Sequence, residues 1–309
     1  DAAGFSFAFE VEHAGFWELR NAVAASYRNG RIFIAGDAAH SHPPYGGYGL
    51  NNGLEDAVNL SWKLAARFSG WGGGQLLDSY SQERAPVAKQ IVSRANKSIE
   101  EFGPIFKALG LLDSIDPVKM QSNMDARCDD TSAAEAQRAR IRETIAFKVY
   151  EFDAHGVEMN QRYKSNAIVT DGQKEPAFEK DAELHYQPTS WPGARLPHVW
   201  VHSDKGDKAS TLDLTGHGKF TVLTGIGGQG WLDAARTVGK ELGIDITGHL
   251  IGPRQPWQDF SGDWARAREV RDSGILLVRP DQHVCWREAA ISNDPAAYMR
   301  RALTAILDR

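Results

Sequence analysis

An α/β chain built from two units is what this sequence predicts, and three observations carry that expectation. The stretch Arg31-Ile-Phe-Ile-Ala-Gly-Asp-Ala-Ala-His40 reads as a buried strand, residues 32–35, that stops at Gly36 and delivers Asp37 to its carboxyl end. A Pro/Gly loop, Ser41-His-Pro-Pro-Tyr-Gly-Gly-Tyr-Gly-Leu-Asn51, leads from it into a helix expected to start near Asn51 or Asn52. Further on, residues 194–309 alternate β-α-β, then a hairpin, then a helix. In open α/β sheets ligands sit just beyond the carboxyl ends of strands, and helix N-termini hold anionic or electron-rich groups. Strand, Gly-Asp, glycine-rich loop and helix in that order are therefore a cofactor cradle.

Taken in chain order, residues 5–11 (Phe-Ser-Phe-Ala-Phe-Glu-Val) alternate like a half-buried strand, and Phe16, Trp17 and Leu19 read as packing residues. Arg20 and Arg31 read as solvated or capping side chains. After the glycine loop, residues 52–68 form a helix. Leu54, Ala57, Val58, Ser61, Leu64 and Ala65 recur at three and four and predict its buried face. Gly70-Trp-Gly-Gly-Gly74 ends that helix, and a second one runs from about Leu76 past Ile99, with Pro86 predicting a kink or a late start. More helices are expected over 104–150, including 133–149, then a short strand just before Asp171-Gly172 and a polar linker over 173–186. Pro188-Thr-Ser-Trp-Pro-Gly-Ala-Arg-Leu-Pro197 marks a domain boundary. Beyond it come strand 220–224, helix 231–242, strand 244–251, the hairpin of 275–279 with 284–287, and helix 295–307 capped by Asn293 or Asp294.

Gly225-Ile-Gly-Gly-Gln-Gly230 is a formal G-x-G-x-x-G between a strand and a helix. The motif is short and frequent by chance, Trp231 would crowd a pyrophosphate, and a hairpin stands where a third parallel strand is needed, so a dinucleotide loop is not the favoured reading. The net charge of -5 argues against nucleic acid or an anionic membrane as principal partner. No apolar run is long enough to span a bilayer. Cys128 and Cys285 lie far apart without metal spacing, which predicts a reducing cytoplasm, no structural disulfide and no metal site; Cys285, in an apolar strand, reads as buried and inert.

The Gly-Asp-Ala-Ala-His motif, the Pro-Pro pair and Gly-x-Gly-Leu-Asn in register closely resemble the second flavin fingerprint of the FAD-dependent aromatic hydroxylases, the class A monooxygenases of the para-hydroxybenzoate hydroxylase and phenol hydroxylase type. The resemblance implies an FAD cradle made by Gly36, Asp37, Pro44, Gly47, Gly49, Leu50 and Asn51. Asp37 would bond the ribityl chain, the Pro44 carbonyl would face the flavin ring near the site of oxygen reaction, and Gly49, Leu50 and Asn51 would turn amides toward the pyrimidine edge. Free amides at a helix start suit the negative charge of reduced flavin, and Gly46, Gly47 and Gly49 allow positive φ and close approach of a flat ring. Tyr80 and the Glu83-Arg84 pair resemble residues that brace the second helix, and are read as structural.

Family members open with a strand and G-x-G-x-x-G, and no such unit precedes Gly36 here. The resemblance thus implies the C-terminal part of a longer polypeptide: residues 1–30 as a remnant of a substrate-binding domain, 31–187 as the C-terminal part of a para-hydroxybenzoate hydroxylase-like FAD domain with a helical extension, and 188–309 as a thioredoxin-like domain whose C-x-x-C position is taken by glycines. It implies FAD as cofactor, NAD(P)H as co-substrate, a small aromatic substrate, the missing N-terminal half as partner, and a homodimer. The chain alone is not expected to be competent, and no catalytic acid or base is assigned: His40 reads as a packed or capping residue, and none of His40, His42, Tyr45 and Tyr48 has an identifiable acid/base partner. Two other readings stay open, a flavin halogenase or oxidase of the same fold and a non-catalytic assembly half.

Overall fold

The computed structural model describes residues 5–309, so the first four residues of the expected 1–30 remnant lie outside the described residues. Residues 5–11 form no strand, and Phe5, Phe7 and Phe9 are exposed. Alternation gains nothing where no neighbouring strand takes up the backbone groups, and among the described residues none does. The Gly-Asp strand is also shorter than its sequence predicts. Strands β1 (Ala22–Val23), β2 (Arg28–Asn29), β3 (Ile32–Phe33) and β4 (His40–Ser41) pair as two small antiparallel ladders, β2 with β3 and β1 with β4. Ile32 is 70% exposed, because among the described residues β3 has only β2 beside it rather than a parallel sheet.

Helix α1 (Tyr48–Phe68) begins three residues before Asn51. Gly46 and Gly47, at φ 78° and 67°, reverse the chain into it, and a Cβ at Gly46 would collide with the Tyr48 ring. Its buried face is not the predicted one. Leu54, Ala57, Val58, Ser61 and Ala65 face outward, while Asn52, Asp56, Asn59, Trp62, Lys63 and Ala66 are buried. Helix α2 (Asp78–Glu100) runs unbroken through Pro86 and supplies the opposing charges, Glu83 and Arg84. Helices α3 (Phe102–Ala108), α4 (Pro117–Asp125), α5 (Ser132–Ala146), α6 (Val149–Phe152) and α7 (His155–Met159) form the extension. Residues 160–199 contain no strand. The one expected before Asp171 is replaced by extended chain whose Val169 amide donates to the Cys285 carbonyl at 2.8 Å.

The last third follows the predicted order closely. Strands β5 (Trp200–Ser203) and β6 (Lys208–Ser210) form a side sheet with β9 (Trp257–Gln258). Strand β7 (Phe220–Thr224), helix α8 (Gln229–Leu242) and strand β8 (Ile246–Leu250) make a parallel β-α-β unit. After α9 (Asp263–Ala267), strands β10 (Ile275–Val278) and β11 (Val284–Glu288) add a hairpin, giving the sheet order β11-β10-β7-β8. Helix α10 (Pro295–Leu307) closes the unit, and Asp294 caps it by accepting from the Ala297 amide at 3.0 Å. Both faces of the sheet are covered. Val222, Trp231, Leu277 and Leu303 pack on one side, Leu223, Trp264, Leu276 and Val284 on the other. Trp62 of α1 joins the first cluster edge-on to Phe220, with ring centroids 5.9 Å apart, so one apolar core spans both units.

The glycines of the 225–230 loop have structural reasons. A Cβ at Gly228 would overlap the Thr224 hydroxyl, and Trp231 is fully buried with its indole donating to the Ser273 carbonyl at 3.0 Å. Cys285 is buried, its Sγ against the Leu277 carbonyl, and burial pushes the thiol up. Among the described residues no helix is long and apolar enough to cross a membrane.

Candidate functional site

Five of the predicted cradle residues line one cleft. Asp37, Pro44, Gly47, Gly49 and Leu50 surround a space of about 730 Å³, together with Phe16, Trp17, Arg20, Ser41 and His42. Trp17, expected to pack, is 72% exposed and forms a wall of the cleft instead. Asp37 sits in a 3-10 turn (Gly36–Ala38) at the end of β3, exposed, and its carboxylate has no ion-pair or hydrogen-bond partner among the described residues. Gly47 is the N-cap of α1 and offers no side chain, so the first-turn amides of Gly49 and Leu50, both in the cleft lining, have no side-chain cap. Among the described residues nothing lies within 4 Å of a Cβ built on Gly49, which leaves space beside this first-turn backbone for a flat group.

Two predicted residues are elsewhere. Asn51 stands one turn into the helix, outside the cleft lining, and its side-chain amide donates to the Gly47 carbonyl at 3.2 Å. Gly36 lies behind the cleft, at φ 55°, with its amide donating to Asp56 Oδ2 at 3.0 Å. Gly36 and Gly53 also face each other closely, a Cβ on Gly53 falling 3.5 Å from the Gly36 Cα, which brings the turn against α1.

A buried polar cluster backs this cradle, and sequence reasoning found only its outline. Asp56 Oδ2 meets His40 Nε2 at 3.0 Å, and Asp56 Oδ1 accepts from Arg84 Nε at 2.7 Å. Arg84 also donates to the Asn52 carbonyl and side chain and to the Tyr163 hydroxyl. His40, Asn52, Asp56 and Arg84 are all buried. Burial alone would raise the Asp56 carboxyl; the His40 hydrogen bond and the Arg84 guanidinium override it and hold the acid below its ordinary value. Tyr48, also buried, has its phenol pushed up by desolvation. His40 is packed, as read from the sequence, but it does have an acid partner, Asp56, which lies 16 residues on and is brought to it by the first turns of α1. The signal for the rest was a polar stripe, Asn52, Asp56, Asn59 and Lys63, spaced at three and four on one face of α1.

The donor set fits a flavin. Free amides at a helix start favour the electron-rich edge of a reduced isoalloxazine, an unpaired carboxylate suits a ribityl hydroxyl, and the Gly49 opening suits a planar ring.

Comparison with known proteins gives the same direction. Residues 6–95 match the FAD binding domain family and residues 189–309 match the family described as aromatic-ring hydroxylase, C-terminal. The chain is 47% identical over 301 residues to the 2,4-dichlorophenol 6-monooxygenase of Cupriavidus pinatubonensis, covering 97% of this chain and 50% of the relative. It is 45% identical to the phenol 2-monooxygenase of a Pseudomonas species, covering 93% of this chain and 47% of the relative. The crystal structure of the flavin-dependent monooxygenase PieE in complex with FAD and substrate is similar at a TM-score of 0.88 and 42% identity, over 94% of this chain and 50% of that one. The chain thus spans about half the length of the relatives it matches. On this fold, this cleft and these matches, the chain joins a segment of the FAD binding domain family to a domain of the aromatic-ring hydroxylase C-terminal family.

Proposed function

We propose that this chain supplies the flavin-ring side of an FAD-dependent monooxygenase that hydroxylates a phenolic ring with NAD(P)H and dioxygen. The observation that carries the reading is the cleft itself, where an unpaired carboxylate, a proline loop and uncapped helix amides converge. Flavin bound there would supply the activation of dioxygen. The protein's part is to bind and orient: Asp37 accepts from the ribityl chain, the Gly49 and Leu50 amides face the pyrimidine edge, and Phe16 and Trp17 wall the open side against water. Asn51 serves the helix start through Gly47 rather than the ring directly. The relatives named for phenol and dichlorophenol support a small phenolic substrate.

The finer assignments belong to the same proposal. The division at residue 188 is supported by the loss of regular structure over 160–199, and a thioredoxin-like identity for 188–309 by the sheet order β11-β10-β7-β8 around a parallel β-α-β unit. The pyrophosphate loop, most of the substrate domain and the NAD(P)H contacts are assigned to an N-terminal half that would cover the exposed Leu50, Leu54 and Val58. A cytoplasmic homodimer is the assembly proposed.

The test is a flavin titration of the protein as purified, with intact masses recorded alongside. Asp37→Ala should weaken FAD binding at least tenfold with an unchanged melting temperature, since Asp37 holds nothing else among the described residues. Equal FAD affinity in wild type and variant would remove the assignment.

A further inference from the structure

We propose that the hairpin turn carrying Arg279 and Asp281, in the C-terminal unit, is a positioning element for the flavin: it fixes helix α1, and thereby the direction of that helix's first-turn amides. The inference rests on the flavin reading above.

Helix α1 carries two polar anchors on one face. The first, Asp56, grips the cradle through the Gly36 amide and His40, each at 3.0 Å. The second lies one turn further on and grips the C-terminal unit. Asp281 Oδ2 accepts from the Trp62 indole at 3.1 Å and from Asn59 Nδ2 at 3.4 Å. Arg279 donates twice to Glu83, at 2.6 and 2.9 Å, and Glu83 in turn accepts from Lys63 Nζ at 2.7 Å and Asn59 Nδ2 at 2.7 Å. Lys63, Glu83, Arg279 and Asp281 are buried. A second link joins the two anchors: Arg84 donates to the Tyr163 hydroxyl at 2.9 Å, and the Tyr163 ring stacks on His283 with centroids 4.2 Å apart.

Burying four charges is not what stability alone selects, because well-packed apolar side chains of similar volume are as good or better. What directional, charge-assisted hydrogen bonds add is a single register. An apolar seam tolerates sliding and rotation of a helix; a two-point polar grip does not. The outward face of α1, with Leu54 and Val58 exposed, contributes no such grip among the described residues. The position of the Gly49 and Leu50 amides is therefore held from the C-terminal side as well as from the cradle, and donors aligned on a reacting ring are sensitive to sub-ångström displacement.

The experiment compares three variants in the flavin-loaded protein. Trp62→Phe removes one donor to Asp281 while keeping a ring against Phe220, and Asp281→Asn removes the charge. Arg287→Gln is the control, since it breaks the pairs with Asp171 and Glu269 without touching α1. Flavin absorption and circular dichroism, the flavin midpoint potential, FAD affinity and melting temperature are read for each. Trp62→Phe and Asp281→Asn should shift the flavin spectrum and potential and weaken FAD three- to tenfold, whereas Arg287→Gln should lower only the melting temperature. If Asp281→Asn does not fold, Trp62→Phe decides. Unchanged flavin properties in a flavin-binding wild type and in Trp62→Phe overturn this inference alone; a wild type that binds no flavin overturns the flavin reading and this inference with it.

Discussion

Gly49 is the residue at which binding and stability should part company. Space is open around its missing Cβ, and it sits in the first turn of α1. Gly49→Ala should stabilise the flavin-free protein by up to about 1 kcal/mol through helix propensity. The same methyl would stand where a flat ring must approach, so FAD affinity should fall at least tenfold. Thermal melts without flavin and quenching of FAD fluorescence on titration would measure both, and a loss of stability together with intact binding would remove Gly49 from the cradle. Asp37, Pro44, Gly47, Gly49 and Leu50 were legible in the sequence because the motif places them through local turn chemistry: positive φ at two glycines, a proline and a helix start. Asp56, Arg84 and Asp281 were not legible as one system, because contacts such as Asp56–Arg84 and Asn59–Asp281 join positions 28 and 222 residues apart, and local periodicity says nothing about such pairs.

Helix α1 shows why an apolar stripe can mislead. Its two faces are both patterned at three and four, and the polar one is buried because α2 and the β10–β11 turn bring complementary charges to it. The apolar stripe faces outward among the described residues, and the proposed N-terminal half is its expected cover. Leu54→Glu should therefore change the stability of this chain by no more than about 0.5 kcal/mol, as for other surface substitutions. It should prevent association with a co-expressed N-terminal half, read by size-exclusion mass. Undiminished association would show that this face is not the contact. The same reasoning explains residues 5–11, where a strand-like alternation has no neighbour, and β7 and β10, where continuous burial on both faces made the prediction secure.

Across the molecule, the buried carboxylates set the response to acid. Asp56, Glu83 and Asp281 are held below their ordinary values: burial pushes each up, and His40, Arg84, Arg279 and Lys63 pull them down further. The Lys63 amine is itself pushed down to about 8 by burial. A carboxylate depressed by folding contributes stability above its unfolded value that is lost as pH falls through its folded one. The stability these three carboxylates contribute should thus hold from pH 7 down to the ordinary values of 4.5 for Glu and 3.8 for Asp, and be lost below them, as read from melting temperature against pH. Glu83→Gln, which leaves Lys63 and Arg279 facing a neutral group, should cost about 3–5 kcal/mol at pH 7 and flatten that acid limb. A melting profile with the same slope in wild type and variant would contradict the assignment. The grip between the units also dictates an order of events during synthesis. Glu83 meets Arg279 across 196 residues, Asn59 meets Asp281 across 222, and the Gln75 amide meets Asp308 across 233. At roughly 5–20 residues per second, the charges of α1 and α2 wait on the order of 10–50 s on the ribosome before their partners exist. During that interval the nascent helices carry an unfinished, half-ionic surface, so the first unit of this protein completes its folding only when the last strands and helix have emerged.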